Sequence, residues 1–252
     1  MLRKRLIFTL IYSDGFFNQS RNFRLQKVGD INWLEENYGF KDLAFSLDEL
    51  IVLDASRGKR DVAKFVKNLS KLAEDVFIPI CAGGGIECLD DAKILFDNGA
   101  DKIILNTAVY DNIGLVTDLV EKYGSQSIVA SVDYKKDDVF IKNGTQKVDI
   151  ELFEYMRRID SLNFGEVYFN SIDKDGTGFG YDIKAVNKIA NRISIPLIIS
   201  GGAGNAKHLI DGLMDSNIDA IATANLFNFM GDGLPKARKE VILDKGNIAQ
   251  WN

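Results

Sequence analysis

The chain of 252 residues has little of what several large protein classes are built on. It holds a single histidine and two cysteines, Cys81 and Cys88, too few for a zinc site of ordinary composition and too few for a disulfide framework. Neither a metal nor a cofactor is expected, and both cysteines read as reduced thiols in a cytoplasmic protein. Its three prolines are scattered, and no proline-rich linker or low-complexity tract divides the chain. No apolar run reaches membrane-spanning length, so no membrane role is expected. The opening MLRKRLIFTLIY looks superficially like a signal sequence. Its apolar run is short, no small-residue cleavage site follows, and it fits a first buried strand better. Basic residues are not in excess either: a net charge of −5 argues against a general nucleic-acid surface. What remains, 46% hydrophobic and 27% charged, is an ordinary globular composition in a chain long enough for one large core.

Eight short apolar runs alternate with helical patterns: Arg5–Ile11, Glu49–Asp54, Ile78–Ala82, Lys102–Asn106, Ser127–Tyr134, Glu166–Ser171, Ile195–Ser200 and Asp219–Thr223. They are nearly continuously hydrophobic and rich in Ile and Val, as parallel strands buried on both faces must be. Helical patterns such as Val62–Leu72, Leu89–Asn98, Ile150–Leu162 and Ala206–Ser216 lie between them, and Asn98-Gly99 and Asn163–Gly165 are stop signals. The alternation predicts one (β/α)8 barrel spanning residues 1–252. Residues 135–149 break the rhythm. Asn143-Gly144 is a hairpin turn signal, so a small hairpin is expected after the fifth barrel strand, at the mouth where such barrels build their sites.

The chain also repeats itself. VFIPICAGGGIECLDDAKILFDNGADKIILNTAVYD and ISIPLIISGGAGNAKHLIDGLMDSNIDAIATANLFNF hold one offset through strand, glycine turn, helix and next strand: Gly83 pairs with Gly201, Gly84 with Gly202, Asp101 with Asp219. That is the mark of a duplicated half-barrel, which should carry two similar ligand sites. Glycine turns let backbone N–H groups approach a ligand closely, and a helix start adds partial positive charge. Gly84, Gly85, Asn106 and Thr107 in one half, and Gly201, Gly202, Ala224 and Asn225 in the other, are therefore candidate phosphate contacts. The loop SIDKDGTGFGYD adds Asp175, Gly176 and Thr177 to the second group; its acids could orient ligand hydroxyls, or it could be a solvated glycine-rich loop. Two cradles would suit a long ligand with phosphates at both ends, or a relic of duplication with one cradle in use.

MLRKRLI…DG, LIVLDAS, IPICAGGGI, GADKIILNTA, GSQSIVASVD, GEVYFNSIDKDGTGFGYD, IPLIISGGAG and LFNF, in this order from residue 1 to about residue 230, resemble the cyclase subunit of imidazole glycerol phosphate synthase. The resemblance implies a barrel that docks a glutaminase at its N-terminal face. Ammonia would enter there, travel up the barrel's centre, and be used at the C-terminal mouth to cleave and cyclise a two-phosphate precursor. It further implies two catalytic aspartates, at the ends of the first and fifth strands. Asp133 matches the second. Ile11 stands where the first belongs, and Gln19 where the family has a lysine. Isoleucine carries no proton at any pH, and loss of one acid/base group costs roughly 10² to 10⁴ in rate. Asp14 belongs to the DG turn beyond the strand end and makes a poor substitute.

A charged ring at the ammonia entrance is implied too, and Arg5, Glu49, Lys102 and Glu166 supply it, each from a strand start; Asp101 would lie near a docked glutaminase. A plain structural role for such charges is the alternative. An intact entrance with a dismantled cyclisation site resembles the branch of the family that accompanies a separate sugar amidotransferase in acetamidino-sugar synthesis for surface polysaccharides. That resemblance implies a second partner at the mouth and a phosphate-bearing small molecule. The alternative is a working cyclase (a lyase) of histidine biosynthesis. Other residues take plain readings: His208 as a capping or surface residue, Phe16, Phe17 and Phe23 as a buried loop cluster, and Asp54 as an orienting residue at the second strand's end.

Overall fold

The structure is a computed structural model that describes residues 3–39, 43, 45–244 and 246–250. Its strands in chain order are β1 (Arg5–Ser13), β2 (Phe16–Arg21), β3 (Arg24–Gly29), β4 (Glu49–Asp54), β5 (Ile80–Gly83), β6 (Lys102–Leu105), β7 (Ile128–Lys135), β8 (Asp138–Ile141), β9 (Gln146–Glu151), β10 (Glu166–Ser171), β11 (Leu197–Ser200) and β12 (Ala220–Thr223). Parallel pairing runs β10-β11-β12-β1-β4-β5-β6-β7, and β7 pairs back to β10, which closes an eight-stranded barrel. The eight expected runs are these eight strands, so the fold is the (β/α)8 barrel that the alternation predicts.

Closure gives the sheet two buried faces. The outer face packs against the surrounding helices in one large core that takes in Leu6, Phe8, Leu50, Val52, Ile103 and Phe169. The inner face forms a separate cluster along the bore: Ile7, Ile51, Cys81, Ile104, Val129, Tyr168, Ile198, Ala220 and Ala222. Odd and even positions of each strand thus serve different cores, which is why the strands read as unbroken apolar runs. Helix formation follows local rules. Asp61 caps Val62–Asp75 by accepting the Lys64 N–H, and that helix buries Phe65, Leu69 and Leu72 at helical spacing against the barrel. Asp91 reaches back to the Glu87 and Cys88 N–H groups at the start of Leu89–Asp97.

Two hairpins stand on the mouth. β8 and β9 form the expected one, turning through Lys142, Asn143 and Gly144, all at positive φ. The other, β2 with β3, was not expected: its turn is Asn22-Phe23, at φ of 50° and 59°. The aromatics expected to lie in a loop here sit on that hairpin, with Phe17 buried and Phe16 beneath the Lys27 ammonium, 3.1 Å from the ring centre. None of the described helices is long and apolar enough to cross a membrane.

Candidate functional site

The barrel carries polar machinery at both ends. At the N-terminal end, Arg5, Glu49, Lys102 and Glu166 meet as a closed ring. Arg5 donates to Glu49 and to Glu166 at 2.6 Å each, and Lys102 to both at 3.1 Å. The ring closes because each residue starts a strand and points into the bore. Burial opposes the charges of Arg5 and Lys102, but the two carboxylates together outweigh it and raise both pKa values. Burial raises the pKa of Glu49, whose side chain is only 2% exposed, against the pull of Lys102 and Arg5. Asp101, expected near a docked partner, is exposed and accepts the Ile80 N–H at 2.8 Å; its repeat mate Asp219 accepts the Leu197 N–H at 2.9 Å. The pair keeps the twofold repeat as a strand-start cap.

Above the ring the bore is apolar up to a hydroxyl layer, where the Tyr168 hydroxyl lies 2.7 Å from Ser200 Oγ and 3.4 Å from Thr9 Oγ1. Over this layer opens a cavity of about 740 Å³. Ile11 and Asp133 both line it, from the ends of β1 and β7. Asp133 accepts from Asn170 Nδ2 at 2.8 Å, and Asn106 Nδ2 lies 3.5 Å from its other oxygen. Burial pushes its pKa up to about 6, against the Asn170 bond, with the negative charge of Asp175 adding to the rise. A carboxyl held there is half-protonated near pH 6 and suits proton transfer in either direction.

Asp175 is a second, half-buried acid of the mouth. It comes from the loop after β10, lines the same cavity, and accepts a hydrogen bond from Ser20 Oγ on the β2 hairpin. Burial raises its pKa against that bond. Asp14 is exposed in its turn and does not line the cavity. Asp54 does: it accepts the Ser56 N–H at 3.0 Å and faces Arg60 Nε at 3.8 Å.

The candidate phosphate residues fall into two places. Gly84, Gly85, Asn106 and Thr107 line the large cavity. Asp175, Gly176, Gly201, Gly202, Ala224 and Asn225 line a small adjoining one of about 20 Å³, together with Gln19 and Ser20; Asp175, Ser20 and Ala224 border both. Thr177 lines neither; its hydroxyl donates to Lys174 O at 2.7 Å and accepts the Phe179 N–H, which shapes the loop. His208 accepts the Gly204 N–H and donates its own N–H to Asn205, the capping role expected. Arg57, Arg60 and Lys142 also border the large cavity. They had not been singled out; the basic run RGKR directly after the second barrel strand was the available signal. No cluster of metal-ligating side chains occurs among the described residues.

Residues 40–231 match the model of the histidine biosynthesis protein family. The chain belongs to that family. It is 47% identical over its whole length to a protein of Parasynechococcus marenigrum provisionally named imidazole glycerol phosphate synthase subunit hisF2, covering 95% of it. It is 37% and 36% identical to the imidazole glycerol phosphate synthase subunits HisF of Chlorobium phaeovibrioides and Pelodictyon phaeoclathratiforme, in each case over 98% of both chains. Within the histidine biosynthesis protein family, then, this is a HisF-like cyclase subunit in sequence and fold.

Proposed function

We propose that this chain is the barrel subunit of a glutamine-dependent amidotransferase, one that receives ammonia from a glutaminase at its N-terminal face and delivers it at the mouth for acetamidino-sugar synthesis. The observation that carries this reading is Ile11, an aliphatic side chain in the cavity that holds Asp133, above a complete ring of Arg5, Glu49, Lys102 and Glu166. The entrance keeps all its charges while the mouth has lost a proton carrier. A neutral ammonia molecule crosses an apolar bore at far less cost than an ammonium ion, so Ile7, Ile51, Val129 and Ile198 suit its passage. A sugar amidotransferase at the mouth would then perform the condensation.

Asp175 favours a second reading, a working cyclase of histidine biosynthesis. It is a half-buried acid in the same cavity as Asp133, and its charge is felt there. It could take the proton that Ile11 cannot. One assay separates the two. Purified chain is given ammonium and the two-phosphate cyclase precursor, and the imidazole product is followed. Ammonia delivery predicts no turnover, together with recovery of a glutaminase and a sugar amidotransferase on the tagged chain from its own cell. Turnover that disappears in Asp175→Asn as in Asp133→Asn would overturn it in favour of the cyclase.

A further inference from the structure

Between its two polar ends the bore is crossed by one aromatic side chain. Tyr168 points inward from β10, two residues on from Glu166 of the ring. Its hydroxyl lies 2.7 Å from Ser200 Oγ on β11 and 3.4 Å from Thr9 Oγ1 on β1. In the closed order β10-β11-β12-β1-β4-β5-β6-β7, β1 stands three strands round from β10, one short of the opposite wall. A side chain that reaches from β10 to β1 lies across the bore and not along its wall. Ala220 and Ala222 on β12, the strand between β11 and β1, are small and leave the phenol ring room.

Its neighbours show what it separates. Above, Tyr168, Thr9 and Ser200 line the large mouth cavity, with Ile104 and Leu53. Below, Cys81 sits in the bore, fully buried and in register with Ile51 and Lys102. All four charges of the ring act on its thiol, and it does not line the mouth cavity. The interior of such a barrel is packed with side chains, so a path along its axis exists only where a packed layer can open. Tyr168 is the part of this layer with somewhere to go. It borders about 740 Å³ of space, and one hydrogen bond of good length, to Ser200, holds its tip.

We propose that Tyr168 is a stopper that closes the bore between the charged ring and the mouth, so that a small neutral solute passes from one to the other only when this side chain moves aside. The stopper is a control point at the mouth end of the path, distinct from the ring, and whatever occupies the cavity floor bears on it. The inference rests on the ammonia-delivery reading only for which solute uses the path. Its test needs neither ammonia nor a partner. Failure of the test removes the stopper and leaves that reading standing, whereas failure of that reading shows only in the turnover assay.

Cys81 is a reporter already in place. The full chain carrying Cys88→Ser, which removes the exposed thiol, is exposed in native buffer to methylmercury chloride, and labelling of Cys81 is followed by mass spectrometry. This small neutral reagent takes up protonated thiols, and burial pushes the Cys81 thiol pKa up. The Cys88→Ser parent should label no faster than its global unfolding, measured in parallel, allows. Tyr168→Ala should label at least about tenfold faster than the parent after the same correction for unfolding. Phe169→Ala is the control for lost packing. Phe169 is the next residue of β10 but packs in the outer core, stacked on Tyr134 at 4.0 Å, so its loss opens no way into the bore. Its corrected rate should stay within about threefold of the parent's. Tyr168→Leu, which keeps an apolar side chain in the bore, serves if the alanine variant does not fold, and should exceed the Phe169→Ala rate in the same way. Labelling of the parent faster than it unfolds, or a folded Tyr168 variant that labels no faster than Phe169→Ala, would overturn the proposal.

Discussion

The two ends of the barrel treat buried charge in opposite ways. At the N-terminal end, each charge of the ring has two opposite partners, and the four side chains close on one another at 2.6–3.1 Å. At the mouth, two half-buried carboxyls, Asp133 and Asp175, share one cavity with amide and hydroxyl partners and no cation of their own. The ring pairs its charges with each other, although burial still raises the Glu49 pKa; at the mouth Asp133 and Asp175 are raised with no cation beside them. Desolvation opposes both arrangements. The ring could therefore be lost to apolar packing at little cost in stability, and the mouth acids could be lost to amides with a gain.

The largest effect should come from unbalancing the ring. Glu49→Ala removes the shared partner of Arg5 and Lys102 from a position that is 2% exposed. It leaves two cations facing Glu166 alone. Removing one member of a buried ion pair costs about 3–5 kcal/mol. The loss is read from the urea midpoint at unchanged m-value. A cost below about 1 kcal/mol would mean the ring is solvated like a surface pair, and the contrast between the two ends would fall.

The mouth should behave in the opposite sense. The Asp133 pKa rises from 3.8 to about 6 on folding. Between those values the folded chain binds more protons than the unfolded one, so stability falls as pH rises through the window. The contribution is fully present below pH 3.8 and lost above about pH 6, and about two pKa units amount to roughly 3 kcal/mol. Asp133→Asn should therefore be more stable than the parent chain at pH 8 by up to about that amount and should gain little at pH 4. Glu49, also raised by burial, adds a slope of the same sign to both proteins and cancels in the difference; Asp175, whose charge reaches Asp133, cancels only in part. A pH-independent difference between the two unfolding free energies would contradict a strained Asp133.

Much of this contrast could be read before any coordinates. Parallel strands buried on both faces carry a strong local signal, and all eight lie where the apolar runs place them. The ring was visible as charges at strand starts, and Ile11 as an apolar residue at a strand end. The β2–β3 hairpin was not visible. Its turn puts Phe23 at φ of 59°, a conformation that costs a bulky residue, so Asn22-Phe23 carries no hairpin signature where Asn143-Gly144 does. That hairpin brings Ser20 to Asp175 across 155 positions of chain, and no local pattern encodes such a contact.

The smallest effect concerns the layer between the two ends. Tyr168 projects into the bore, buried, and shares its hydroxyl with Ser200 and more distantly with Thr9. Burial pushes its pKa up to about 12, so the hydroxyl stays neutral at any working pH. Tyr168→Phe keeps the ring and removes only the hydroxyl, leaving Ser200 and Thr9 facing the cavity, where water can reach them. The expected cost is about 1 kcal/mol, the net value of one hydrogen bond, and it should be equal at pH 5 and pH 8. That flat profile is the useful result: it separates a neutral hydroxyl layer from the titrating acids above it and the ionised ring below. A cost that grew with pH would mean the Tyr168 hydroxyl is coupled to Asp133 or Asp175 across the floor of the mouth, and the bore would then be electrically continuous with the site it opens into.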